Sequence, residues 1–287
     1  MRDTHPASPS VVVGIDGSRS GLTAALWAVE EAVDRDIPIR LVYAIEPPSG
    51  PTTPEDSARV LATAEIAVRQ AFTAVESTDK PVKIEVEILQ GRPTDMLLQA
   101  SRAAAMICVG AIGLRHVSGR IGSTAAELAT RALCPVAIIR GYDPSPVTTG
   151  SIVVEVDSSS DCEAVLQRGI DEALLRNAPL VVIAVWHSQF TDLHDSHAVA
   201  EQNRRIRASL NRRLARCTRK YPELDVRPVA VHGSLLNYLS RHAPSIQLVI
   251  VGRRRAHGVS EMIGPPSYAA LHDTDCSVVV CAPHGLL

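Results

Sequence analysis

Short runs of β-branched and aliphatic residues alternate along the chain with longer stretches whose apolar positions recur every three or four residues. In the first half the runs are Ser10 to Ile15, Ile39 to Ile45, Val82 to Leu89, Met106 to Gly110 and Pro135 to Arg140. In the second they are Ser151 to Val156, Leu180 to Trp186, Val226 to His232, Leu248 to Gly252 and Ser277 to Ala282. Their length and composition predict strands. The periods between them predict helices, among them Leu22 to Arg35, with Leu22, Leu26, Val29 and Val33 on one face, and Ala58 to Val75. Most of the strand candidates are continuous apolar runs, as a sheet covered on both faces requires. Strands of this kind alternating with helices imply right-handed crossovers and parallel pairing. The expected fold class is α/β, with two tandem doubly wound domains, each built on a five-stranded parallel sheet.

The tandem arrangement rests on an internal repeat. Val11 to Ser18 (VVVGIDGS) aligns with Ile152 to Ser159 (IVVEVDSS), so that Asp157 follows Asp16 by 141 residues, and Pro179 follows Pro38 by the same interval. Gly233, Gly252, Gly264 and Cys276 follow Gly91, Gly110, Gly122 and Cys134 by 142, which means one residue has been inserted between the two blocks. The joint, Gly141 to Gly150 (GYDPSPVTTG), has the Pro, Gly, Ser and Thr content of a linker. The expected domains are residues 1–143 and 150–287.

Composition narrows the class further. With 287 residues, 46% hydrophobic and 21% charged, each half can bury a core and neither is a disordered chain. The longest nearly uncharged apolar stretch, Ala103 to Leu114, is shorter than the ~20 residues of a membrane helix, and Met1 to Ser10 has no apolar signal region. The expectation is a cytoplasmic protein with no membrane partner. Six cysteines without a CxxC pair argue against a disulfide framework or a zinc site. Up to Asp143 there are 14 basic and 17 acidic residues, and beyond it 15 and 14, so neither half carries the positive excess of a nucleic-acid binder.

An open parallel sheet binds ligands beyond the carboxyl ends of its strands, where the strand order reverses. Two segments of the first half fall there. The first is Gly14-Ile15-Asp16-Gly17-Ser18, with glycines that permit close backbone approach and an aspartate acceptor. The second runs from Val109-Gly110-Ala111-Ile112-Gly113 to Gly122-Ser123-Thr124, which opens a helix through Leu128 and Ala132. Backbone N–H groups at a helix start attract anions, and Ser123 and Thr124 add hydroxyl donors, so this segment suits phosphate. Glycines that merely end a strand and a Ser123 that caps a helix would give the same letters.

On these residues the chain resembles the universal stress proteins, in their tandem-domain form. Gly110, Gly113, Gly122 and Ser123 match the G-x2-G-x9-G-[ST] signature of the family's nucleotide-binding members, except that Leu114 to Ile121 supplies eight residues where the signature has nine. Asp16 matches the family's aspartate after the first strand, and the Gly91-Arg92-Pro93 turn and Cys134-Pro135-Val136 are also similar. The resemblance implies an adenine nucleotide alpha hydrolase-like fold and a stress-response regulatory module that is not an enzyme. It implies a site for ATP, with or without Mg2+, in which Asp16 contacts the adenine or ribose and the backbone around Gly14, Ala44 and Val109 walls the adenine. Gly110, Gly113, Gly122, Ser123 and Thr124 would hold ribose and phosphates. The second half keeps Asp157 but reads Gly252-Arg253-Arg254-Arg255, with an arginine in place of the second glycine, and Gly264-Pro265-Pro266 in place of Gly-Ser-Thr. Proline offers neither N–H nor hydroxyl. The site is therefore expected in the first domain only, with Arg255 filling the second, and the three arginines binding an anion or standing solvated.

Two other readings stay open. One is a nucleotide-free scaffold whose last strands, within Pro135 to Arg140 and Ser277 to Ala282, pair as a homodimer or as an intramolecular pseudo-dimer. The other is a slow ATPase, although the chain has neither a GxSxG elbow nor a GxxxxGK[ST] loop, and Ser118 and His116 are the side chains it places near the phosphates. Glu201 to Lys220 predicts an amphipathic helix with Ile206, Leu210 and Leu214 inside and seven arginines outside, read as a solvated face for want of interleaved aromatics. His187, His194 and His197, with Asp192 and Asp195, lack a metal-binding spacing and are read as a polar loop.

Overall fold

A computed structural model of the chain describes residues 9–48, 50–113, 121–141, 150–159, 161–187, 196–255, 259–263 and 276–282. The chain divides into two compact units, Met1–Pro144 and Ser145–Leu287.

In the first unit the order is β1 (Val11–Ile15), α1 (Arg19–Asp34), β2 (Ile39–Ile45), α2 (Pro54–Glu76), β3 (Ile84–Gln90), α3 (Pro93–Ala100), β4 (Met106–Gly110), α4 (Ser123–Arg131) and β5 (Val136–Ile139). Its strands lie side by side as β3-β2-β1-β4-β5, each pair parallel. The second unit repeats the scheme with β6 (Ser151–Glu155), α5 (Cys162–Leu175), β7 (Leu180–Trp186), α6 (Ser196–Lys220), β8 (Val226–His232), α7 (Leu235–His242), β9 (Ile246–Gly252), α8 (Ser260–Ile263) and β10 (Ser277–Cys281). Its strands lie in the order β8-β7-β6-β9-β10, again parallel throughout. In each unit the chain direction of travel across the sheet reverses at the first strand, between β1 and β4 and between β6 and β9. The two α/β sheets are those the apolar runs predict.

Two strand boundaries differ for local reasons. Val82 belongs to a tight turn, its N–H donating to the Lys80 carbonyl at 2.8 Å, so β3 starts at Ile84. β9 starts at Ile246, immediately after a 3-10 turn over Ala243–Ser245, and the polar Gln247 hides that start in the sequence. A larger correction concerns α1. Its buried side is Gly21, Ala24, Ala25, Trp27, Ala28, Val29, Glu31 and Ala32, whereas Leu22, Leu26 and Val33 are only half-buried. Small side chains let the helix axis approach the sheet closely, and that contact outweighs the larger leucines. The one charged residue on that face, Glu31, is fully buried and pairs with Arg35 one turn on, at 3.2 Å. Glu172 and Arg176 repeat the pair in α5, where Arg168 adds a second partner at 2.5 Å.

All six cysteines are free, five of them buried. Burial pushes the Cys281 thiol up to about 11, against the opposing field of Arg168, so at neutral pH it holds its proton and is inert as a nucleophile. Cys217, on the half-exposed side of α6, should therefore be the first to react with a thiol reagent in the native protein. Peptide mapping after brief alkylation checks this, and early labelling of Cys281 would contradict it.

Candidate functional site

The carboxyl ends of β1, β2 and β4 open into a cleft of about 500 Å³. That volume suits a small molecule such as a nucleotide. Gly14, Asp16, Ala44, Val109, Gly110, Gly113, Gly122, Ser123 and Thr124 all line it, although they come from four separate stretches of chain. The sheet topology brings them together, since β1 and β4 are hydrogen-bonded neighbours and each sends its following loop out over the same edge.

Asp16 is fixed by the turn it begins. Its Oδ1 accepts from the Ser18 N–H at 2.9 Å, Gly17 takes φ +82°, and the Ser18 hydroxyl accepts from the Gly21 N–H at 3.0 Å to cap α1. The carboxylate is wedged between two glycines. A methyl on Gly21 would lie 3.0 Å from Oδ1 and one on Gly113 would lie 3.0 Å from Oδ2. The glycine at 113 thus preserves the space Asp16 occupies at the cleft wall.

The start of α4 has a different character. Gly122, not Ser123, is the N-cap, with φ −62° and ψ 151° and no side-chain cap. Ser123, Thr124 and Ala125 are the first helical residues, all lining the cleft, and no carbonyl within the helix reaches their N–H groups. Among the described residues, a methyl on Gly122 would find nothing closer than 3.8 Å, to the Ala111 carbonyl and the Gly113 nitrogen. Donor amides, two hydroxyls and the positive end of a helix dipole together make a surface suited to an anion.

Gly110 answers to another demand. A methyl there would lie 2.5 Å from the Ser20 hydroxyl, 2.6 Å from the Ser20 carbonyl carbon and 2.8 Å from the Gly21 nitrogen, so this glycine is where β4 meets the α1 backbone. His116 and Ser118 lie outside the described residues, as do Gly264, Pro265 and Pro266.

The sequence reading passed over Glu46, Val60, Arg92, Pro93, Thr94 and Leu97, which line the same cleft. Arg92 precedes the proline that starts α3 and directly follows the β3 turn, and in a parallel α/β layer that position faces the ligand edge. The Gly91-Arg92-Pro93 turn is evident in the sequence, whereas the placement of its arginine at the cleft depends on the sheet order.

In the second unit Asp157 keeps the same turn, accepting from the Ser159 N–H at 2.9 Å. The recess beside it is occupied. Glu155 stands where the repeat has Gly14, and Arg255 where it has Gly113. The Arg255 guanidinium forks onto Glu155, with Nε on one carboxylate oxygen and Nη2 on the other at 2.9 Å, and its Nη1 donates to Glu261 at 2.6 Å. Burial works against the charge on Arg255, but the hydrogen bonds and field of Glu155, then of Glu261, outweigh it and hold its pKa above the usual arginine value. Arg255 is 5% exposed, so for this residue the solvated or anion-binding reading is corrected: its anion is already Glu155. Arg254 lies 3.6 Å from the buried Asp161 carboxylate.

The basic helix forms as α6, with Leu210 and Leu214 buried, Ile206 half-buried and Arg205, Arg207, Arg212, Arg216 and Arg219 exposed. Trp186 donates to Asn203 of this helix at 2.8 Å and packs its ring against His232. His187 and His197 lie at either side of residues 188–195, which fall outside the described residues, as His194 therefore does. Among the described residues no group of three or more His, Cys, Asp or Glu is arranged to hold a metal, and no helix is long and apolar enough to cross a membrane.

The model of the universal stress protein family matches residues 9–140 and again residues 149–282. A universal stress protein of Mycobacterium tuberculosis is 48% identical over 283 residues, 98% of this chain and 98% of its own. A second from the same organism is 45% identical over 260 residues, 90% of this chain and 92% of its own. Among solved structures, a universal stress protein from Archaeoglobus fulgidus superposes with a TM-score of 0.70 at 17% identity, covering 95% of this chain and 96% of that one, which is a likeness of fold.

Proposed function

This chain belongs to the universal stress protein family, and from that premise we propose that its first unit binds an adenine nucleotide while its second unit is a twin closed to it. The single observation that carries the reading is the convergence of nine residues from four stretches of chain on one cleft, with a hydrogen-bonding carboxylate at one wall and helix-start amides that have no intrahelical partner at another.

The roles follow from the chemistry of each wall. Asp16, held by its turn, is an acceptor for a ribose hydroxyl or an exocyclic amine. Backbone at Gly14, Ala44 and Val109 flanks the base. The Ser123 and Thr124 amides and hydroxyls, with Gly110, Gly113 and Gly122, take the ribose and phosphates, and ATP enters with or without Mg2+. The chain has neither a GxSxG elbow nor a GxxxxGK[ST] loop, which favours a regulatory module over an enzyme in this reading. Occupancy acts to the extent that the nucleotide binds two states of the first unit with different affinity. What the cell reads is the surface this produces, in a cytoplasmic stress response.

In the second unit the Glu155–Arg255 pair takes the place of both glycines and supports the asymmetry. Calorimetric titration of the whole chain with AMP and with ATP plus magnesium should give one nucleotide per chain. Two per chain would refute the closed twin, and none for either ligand would refute the nucleotide reading itself.

A further inference from the structure

We propose that Arg92 is the base-side clamp of the cleft, setting affinity for the flat, uncharged end of the ligand rather than for its phosphates. This rests on the nucleotide reading above and adds to it a residue to which the family signature gives no part.

The backbone fixes where Arg92 stands. Gly91, at φ +149°, donates its N–H to the Ile45 carbonyl at 2.9 Å and so ties the end of β3 to the end of β2. Arg92 comes next as the N-cap of α3, and its carbonyl receives the Met96 N–H at 3.1 Å. Its main chain is thus pinned at both sides, just beyond β2. Parallel strands are about 4.8 Å apart, so three steps across the sheet separate the ends of β3 and β4 by roughly 14 Å. The donor surface at Ser123 and Thr124 belongs to the β4 end, and Arg92 to the other.

The neighbours at the Arg92 end are apolar. Ile45, Pro93 and Leu97 line it, with Val60 of α2, which packs on β2 and β3 and leaves Val60 42% exposed. Ile45 and Leu97 are themselves buried, so the aliphatic surface offered is chiefly that of Val60 and Pro93, which suits a purine face better than a phosphate. The arginine is also available. Its side chain is 66% exposed, and its Nε lies 4.0 Å from Glu46 Oε1, a loose ion pair without a hydrogen bond. A planar guanidinium stacks on an aromatic ring at little desolvation cost, which an ammonium does less well. Glu46 is the carboxylate beside Arg92, and it disfavours phosphate at this end.

The test compares adenosine, AMP and ATP, titrated calorimetrically into the wild-type chain and into Arg92→Ala and Arg92→Lys. Removal of the stacking plane should weaken all three by the same factor, about fivefold to tenfold, with lysine recovering less than half of the loss. A loss that is absent for adenosine and grows with each phosphate would overturn the proposal by making Arg92 a phosphate ligand. Unchanged affinity in both variants would overturn it as well. Wild-type protein that binds none of the three would instead remove the nucleotide reading on which the proposal stands. Because Arg92 is exposed and its N-cap role uses the backbone alone, melting temperatures should not move, and they serve as the control for folding.

Discussion

Arg255→Ala will destabilise the second unit by about 3–5 kcal/mol, the usual cost of leaving half of a buried ion pair behind. The side chains of Arg255 and Glu155 are 3% and 7% exposed, so water cannot replace the lost guanidinium at Glu155 without opening the unit. Glu261 is less affected, since it is 18% exposed and can turn to solvent. For a unit of this size the loss lowers the melting temperature by roughly 10 °C, which scanning calorimetry of the intact chain resolves as one transition moving while the other stays. The informative partner is the double replacement Glu155→Leu with Arg255→Met. It removes both charges and refills the volume, and it should recover most of the loss, because a buried pair stabilises little relative to an apolar pair of similar size. If the single variant melts like the wild type, the recess is wetter than its burial indicates, and the closed twin loses its physical basis.

The ion pair also shows what a sequence can and cannot disclose. That Arg255 replaces the second glycine of the signature is evident from the repeat alone, and a large side chain in a glycine's space predicts a filled site. The partner was equally visible, because Glu155 aligns with Gly14 in the same repeat, yet one residue read in isolation suggests solvent or an anion. Only the meeting of β6 and β9 as hydrogen-bonded neighbours brings the two together. Sheet topology sets such pairings, and local sequence carries them weakly.

The same division runs through the first unit. Strands were legible because a doubly covered sheet demands apolar residues at most positions. Seven of the nine cleft residues were legible as turn glycines, an aspartate and a serine–threonine pair, but their ligand reading over plain strand ends and a cap came from the family resemblance, as that of Ala44 and Val109 did entirely. The buried face of α1 was not. Helical periodicity weights large aliphatics, so Leu22, Leu26 and Val33 outrank alanine, whereas the packed structure prefers Ala24, Ala25, Ala28 and Ala32 where the helix must sit close to β4 and β1. Arg92 was missed for a different reason. Its Gly91-Arg92-Pro93 turn stands out in the sequence, but the place of the arginine in the cleft follows from the hydrogen bond that ties Gly91 to Ile45.

Gly110→Ala will damage the fold of the first unit, although Gly110 and Gly122 look alike as ligand glycines in the sequence. A methyl at 110 meets backbone atoms of Ser20 and Gly21 at 2.6 and 2.8 Å, and backbone cannot rotate aside as a side chain can. The start of α1 must move off β4, at about 1–3 kcal/mol for the overpacking. That shift also moves the Ser18 cap and the Asp16 turn, so nucleotide affinity falls with stability. The second unit supplies the control. Gly252 occupies the equivalent place, but there, among the described residues, a methyl meets a side chain rather than backbone, Val165 at 3.2 Å, and Gly252→Ala should cost a fraction as much. Gly122 separates the two roles from the opposite side. It has ordinary N-cap dihedrals, and among the described residues nothing lies closer than 3.8 Å to a methyl there, so Gly122→Ser fits the fold and its hydroxyl can accept from the first α4 amides. That variant should melt no lower than the wild type, with a gain of a few tenths of a kcal/mol at most. Its nucleotide affinity should nevertheless fall, because the serine then holds donors that the phosphates need. Melting curves and calorimetric titrations of the three variants together decide the matter: stability and binding lost in parallel at all three positions would leave the glycines with one structural role, and the anion surface at α4 without support.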